Sequence, residues 1–157
     1  MKLKKFEVVE ICETIDSLNI SKDYKFFLYV ILKARKKLED DYLLILETIK
    51  PDAEYIKFIQ ERKQIIDKYC EKNEGKLIDY NNKYKVIEGN EEIVKEEVEN
   101  LFNKYKESIE KRKKEIKDIE IFLNSEIEVD LDKISIQHVP NELNKTQMNC
   151  LLPLIVD

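Results

Sequence analysis

The sequence predicts an α+β protein that is predominantly α, with long antiparallel helices and a small β-hairpin or sheet element. Three observations lead there. Turn-formers are scarce: the 157 residues include 2 Gly and 3 Pro, too few for the tight turns of a β-sandwich or for a glycine-rich loop that cradles phosphate. Apolar residues recur by threes and fours through most of the chain, the period of an amphipathic helix. Over 126–131 the pattern changes to alternation, with Ile127, Val129 and Leu131 against Glu126, Glu128 and Asp130, the mark of a half-buried strand. At 43% hydrophobic residues the chain has enough apolar material to fold. It reads as one domain, 1–157, in three segments: a helical pair over 1–50, helix, hairpin and long helix over 52–124, and a strand with a short terminal helix over 125–157.

The first helix is predicted from about residue 4 to 18, where Phe6, Val9, Cys12, Ile15 and Leu18 form a ladder of threes. Asn19-Ile20-Ser21 breaks it, and Ser21 is a natural N-cap. The second helix carries Phe27, Ile31, Ala34, Leu38, Tyr42 and Ile45 on one stripe. Pro51 lacks a backbone donor and disfavours helix in the residue before it, so a break or sharp kink is expected there. Asp52 can cap a third helix, through Tyr55, Phe58, Ile65 and Tyr69. Asn73-Glu74-Gly75 ends that helix, with Gly75 suited to the left-handed C-cap. Residues 76–80 and 83–87, joined by Asn81-Asn82, read as a β-hairpin. A hairpin alone is barely stable, so it is expected to form a small sheet with the 127–131 strand. Asn90 can cap the longest helix, about 91–124. Its stripe of Val94, Val98, Leu101, Tyr105, Ile109 (or Ser108), Arg112, Ile116, Ile119 and Leu123 has coiled-coil spacing, and it weakens over 108–115, which is expected to face solvent. Pro140 ends the later extended segment. A short helix over 146–152, capped by Asn144 or Thr146, then leads to Pro153 and the apolar tail Leu154-Ile155-Val156.

Charge narrows the function classes. The net charge is −5, which argues against a general nucleic-acid binder. The basic run Lys111-Arg112-Lys113-Lys114 lies among Glu107, Glu110, Glu115 and Asp118, and its ordinary reading is a solvated helix face with Glu-to-Lys pairs four apart. Cys12, Cys70 and Cys150 are odd in number and far apart, which indicates neither a disulfide framework nor a zinc site and fits a reducing, cytoplasmic compartment. No signal-peptide pattern opens the chain, and no apolar run approaches a membrane span.

No constellation of reacting groups is legible. The single histidine, His138, has Gln137 and Val139 as neighbours, and a dyad or metal site needs further partners. Glu126, Glu128 and Asp130 share one strand face and are the only acidic set with defined geometry. They could hold a divalent metal, but one residue in five is acidic, and acidic side chains also blunt an exposed strand edge. Most aromatics (Tyr24, Phe27, Tyr42, Tyr55, Phe58, Tyr69, Phe102, Tyr105 and Phe122) sit at seam positions and read as packing residues. No catalytic, metal-ligating or cofactor-binding residue is assigned. The candidate interaction residues are Leu152, Leu154, Ile155 and Val156 of the apolar terminus, together with Lys111 and Arg112. An apolar terminus either packs on its own domain or offers a patch to a partner.

The order of elements carries a resemblance. Glu61-Arg62, Ile65, Ile66 and Tyr69 are followed by a glycine-bounded hairpin from Gly75 to Gly89 and by a helix that opens with acids and contains Leu101. The acidic-apolar strand 126–131 with Ile134 comes next, then Gln147, Leu151, Leu152 and Pro153. Over about 54–156 this resembles a poorly characterised group of small bacteriophage proteins. The resemblance implies a phage or prophage protein in a bacterial host cell and brings no catalytic residues. Helix, hairpin, helix is also similar in plan to prefoldin-type chaperone subunits. The function expected is therefore non-enzymatic: an accessory protein that binds a host or phage protein, inhibiting or redirecting a host defence component. The alternatives are an assembly factor or prefoldin-like homo-oligomer, and a metal-dependent enzyme using the 126–130 carboxylates.

Overall fold

A computed structural model describes residues 1–80 and 83–157. The protein is predominantly α, with a few short strands in small sheets. Where the sequence reads as one domain, the chain packs as two compact units. One comprises Met1–Lys50 with Asp118–Asp157, the other Pro51–Lys117. Pro51 is the first boundary, and the helix before it stops at Ile49.

The first unit opens with strand β1 (Lys2–Lys4) and helix α1 (Lys5–Ser17). The buried stripe of α1 is Val8, Ile11, Cys12 and Ile15, not the ladder of threes, because steps of three residues drift by about 60° around a helix. Helix α2 (Lys25–Ile49) buries Phe27, Val30, Ile31, Ala34, Leu38 and Ile45. Ser21 does not cap it; its hydroxyl instead closes the preceding turn, accepting from the Asp23 N–H at 3.3 Å. Arg35 holds α2 to α1 through a forked contact with Asp16 at 2.9 and 3.0 Å.

The chain returns to this unit along α5 (Lys106–Asn124), followed by β6 (Glu126–Glu128) and β7 (Ile134–Ser135). Helix α6 (Lys145–Leu151) and β8 (Ile155–Val156) complete it. Strand β6 pairs not with the hairpin but with β1, antiparallel, Leu3 opposite Ile127 and Lys4 opposite Glu126. Alternation shows that a strand is half-buried and is silent on which strand it joins. Beyond β6, Lys37 donates to the Asp130 carbonyl at 2.7 Å and Lys33 meets Asp132 at 2.7 Å. Leu131, Ile134, Val139, Leu151 and Leu154 then enter the same core as α1 and α2. Asn144 and Gln147 form a reciprocal capping box at the start of α6, at 2.9 and 3.0 Å.

In the second unit, α3 (Ala53–Tyr69) starts as the sequence predicts, with the Asp52 carboxylate accepting from the Tyr55 N–H at 2.8 Å. Asn73-Glu74-Gly75 does not end this helix. Instead β2 (Lys72–Asn73) and β3 (Lys76–Leu77) pair across a two-residue turn, with φ 51° at Glu74 and 78° at Gly75, the mirror-image geometry that suits hairpin twist. β4 (Asp79–Tyr80) and β5 (Lys83–Tyr84) form a second hairpin; its connection at Asn81-Asn82 lies outside the described residues. Cys70 bridges to Val86 below both. The three pairings meet in a closed ring of backbone bonds: Glu71 donates to Lys85 (2.7 Å), Lys85 to Ile78 (3.1 Å) and Ile78 to Glu71 (2.9 Å).

The predicted helix over 91–124 is broken. α4 (Glu91–Lys104) ends at Tyr105, whose φ of −110° and ψ of 19° leave the helical region. Neither Gly nor Pro marks the break. Tyr105 is instead held by α3, its ring 6.0 Å from that of Phe58 and its hydroxyl donating to Glu61 at 2.7 Å. Phe58, Leu101, Tyr105 and Ile109 form the core of this unit; within 108–115 Ile109 is the one buried residue, and Glu110, Lys111, Lys113 and Lys114 are exposed, as the weakened stripe predicts. Asn90 stands at the N-cap position without a side-chain bond.

Candidate protein interface

Residues 26–32 of α2 are Phe-Phe-Leu-Tyr-Val-Ile-Leu, nearly two helical turns without a polar side chain other than Tyr29. A helix docked on one side buries one stripe. Phe27, Val30 and Ile31 fill that stripe. Of the rest, Leu28 packs partly against the core, while Phe26 is 54% exposed, Tyr29 64% and Leu32 60%. Further along, Leu43 and Leu44 are 55% and 67% exposed. The ring of His138 lies 4.9 Å from that of Phe26 and extends the face at its edge. The sequence reading missed this face because it followed the buried stripe alone. The signal available was the uninterrupted run, which no single-sided amphipathic helix needs.

The predicted interaction residues do not make one site. Leu154 is fully buried and Ile155 partly so, paired with Ile134 across β8 and β7. The tail thus packs on its own domain, and only Leu152 and Val156 show apolar surface. Lys111 and Arg112 belong to the second unit. Lys111 reaches Asp52 at 3.3 Å and Glu115 at 3.9 Å rather than Glu107. Arg112 meets Glu115 at 3.4 Å. Phe102, read as a core or half-buried packing residue, is 43% exposed and packs its ring edge-on against Phe58 at 5.3 Å.

The acidic strand is also occupied. Glu126 lies 3.4 Å from Lys2, and Asp130 lies past the end of β6, 3.8 Å from Lys37. Among the described residues no three His, Cys, Asp or Glu side chains gather as metal ligands would. Burial pushes the Cys12 thiol up to about 11, which keeps it protonated and poorly nucleophilic at neutral pH. The groove between α3 and α4 is lined by Glu61, Gln64, Lys68, Glu97, Asn100 and Lys104. Its charges are spent internally. Glu61 accepts from Lys104 at 2.8 Å and from Tyr105, which together hold its carboxyl below the usual range, and Glu97 accepts from the Tyr69 hydroxyl at 2.7 Å.

Fold and surface thus place the chain among predominantly helical α+β proteins, here with an apolar helix face exposed. Comparison with protein-family models, curated proteins and solved structures found no match for it. Among the described residues no helix is long and apolar enough to cross a membrane.

Proposed function

We propose that this chain is a non-enzymatic protein-binding module that docks through the outward face of α2. The observation that carries the reading is the exposure of Phe26, Tyr29 and Leu32 on a helix whose opposite face is already in the core. Phe and Tyr are enriched at protein interfaces, and Tyr is a frequent anchor that fills a pocket on the partner. Tyr29, Leu32 and Leu43 stand three and eleven residues apart, offsets that keep them on one side of the helix, as anchors laid into a groove require. In this reading the partner is a host or phage protein or another copy of the chain, and activity lies in the contact itself.

A photo-crosslinking residue at Tyr29, with Lys113 as the control position, tests the assignment. The expected result is a discrete adduct from Tyr29 that Leu32→Glu abolishes while leaving the melting temperature unchanged. Equal adducts from both positions, or adducts from Tyr29 indifferent to Leu32→Glu, would overturn it.

A further inference from the structure

The outward face of α2 extends past the aromatic run, and its order of residues is informative. Tyr29, Leu32, Lys36, Glu39, Leu43 and Leu46 follow one another by alternating steps of three and four, the seam spacing of a two-helix coiled coil. All are exposed except Leu46, which is partly buried. Lys36 and Glu39 form no salt bridge with any described residue of their own chain. The seam is therefore apolar at both ends, basic just before its middle and acidic just after it.

Such a strip is complementary to itself when reversed. In an antiparallel pair, Lys36 faces Glu39 of the second copy, Leu32 faces Leu43 and Tyr29 faces Leu46. A two-fold axis repeats the same three contacts on the other side, as an isologous interface requires. A parallel pair sets Lys36 against Lys36 and Glu39 against Glu39. Sliding the antiparallel pair by one heptad sets Lys36 and Glu39 against Leu32 and Tyr29 in one direction, and against Leu46 and Leu43 in the other. Only one register satisfies every position.

We infer that a second copy of this chain is the partner that covers α2, through an antiparallel α2–α2 seam centred between Lys36 and Glu39. This rests on the protein-binding reading above and names the occupant. Sedimentation equilibrium of the full chain, read through the micromolar range, tests it. The expected mass is twice 18.8 kDa. Lys36→Glu and Glu39→Lys, each placing like charges together twice across the axis, should weaken the dimer by about tenfold or more. The double swap should restore it, an outcome that neither a parallel pair nor a general loss of solubility produces. Both sites are exposed, so circular dichroism melting serves as the check that each variant folds. A monomer at every concentration, or a dimer indifferent to the single swaps, overturns the inference. If the chain is monomeric yet Leu32→Glu removes the Tyr29 adduct to another protein, the docking face stands and the self-pairing falls.

Discussion

At the scale of single residues, the tail shows how burial decides between two readings of the same apolar string. Leu152, Leu154, Ile155 and Val156 look alike in sequence, yet only Leu154 is fully buried, turned inward by the 3-10 turn over Leu152–Leu154 that contains Pro153, while Ile155 packs partly against the core. Removing a fully buried leucine forfeits its transfer free energy and leaves a cavity, so Leu154→Ala should cost about 2–5 kcal/mol in urea unfolding. Leu152→Ala, on the exposed side of the same turn, should cost far less. Asp52 carries a pH prediction. The Tyr55 N–H, then the Ser108 hydroxyl, then Lys111, hold its carboxyl below the ordinary 3.8. A group depressed in the folded state stabilises above its unfolded value, and that contribution drains away as pH falls through the folded one. Asp52→Asn keeps an acceptor at the cap but cannot titrate. The wild type should therefore be the more stable at neutral pH, with the difference closing as acid takes the solution below 3.8.

At the scale of elements, legibility followed the range of the cause. The Asp52 cap, the break at Pro51, a cap at Asn144 or Thr146 and the alternation of 126–131 are set by neighbours within a turn or two, and they could be read directly. The break at Tyr105 could not, because what holds that residue is Glu61, more than forty positions away in sequence. The turn at Glu74-Gly75 was misassigned for a related reason. Gly75 does take the left-handed backbone, but a hairpin and a helix C-cap ask for the same φ. Open space surrounds Gly75, so the penalty of Gly75→Ala is backbone strain alone, about 1–2 kcal/mol. A thermal melt of that variant should show the loss, whereas Lys76→Ala beside it should show almost none.

At the scale of the whole molecule, the candidate interface was hidden by a habit of reading helices as one-sided. The run 26–32 satisfies a buried stripe, and the surplus apolar residues become visible only when the core is known to need just half of them. The sheet partner of residues 126–128 was equally out of reach, since β1 lies more than a hundred and twenty positions away and nothing local in either strand names the other.

That pairing governs the order in which the molecule is assembled. The first unit is written in two instalments, Met1–Lys50 and Asp118–Asp157, with the second unit between them. On a translating ribosome the early instalment waits for the intervening and final residues, roughly 5–20 s at ordinary elongation rates. Throughout that interval only α1 is present to cover the inner side of the run 26–32, and the places that Leu131, Ile134, Leu151 and Leu154 fill in the finished core stand open.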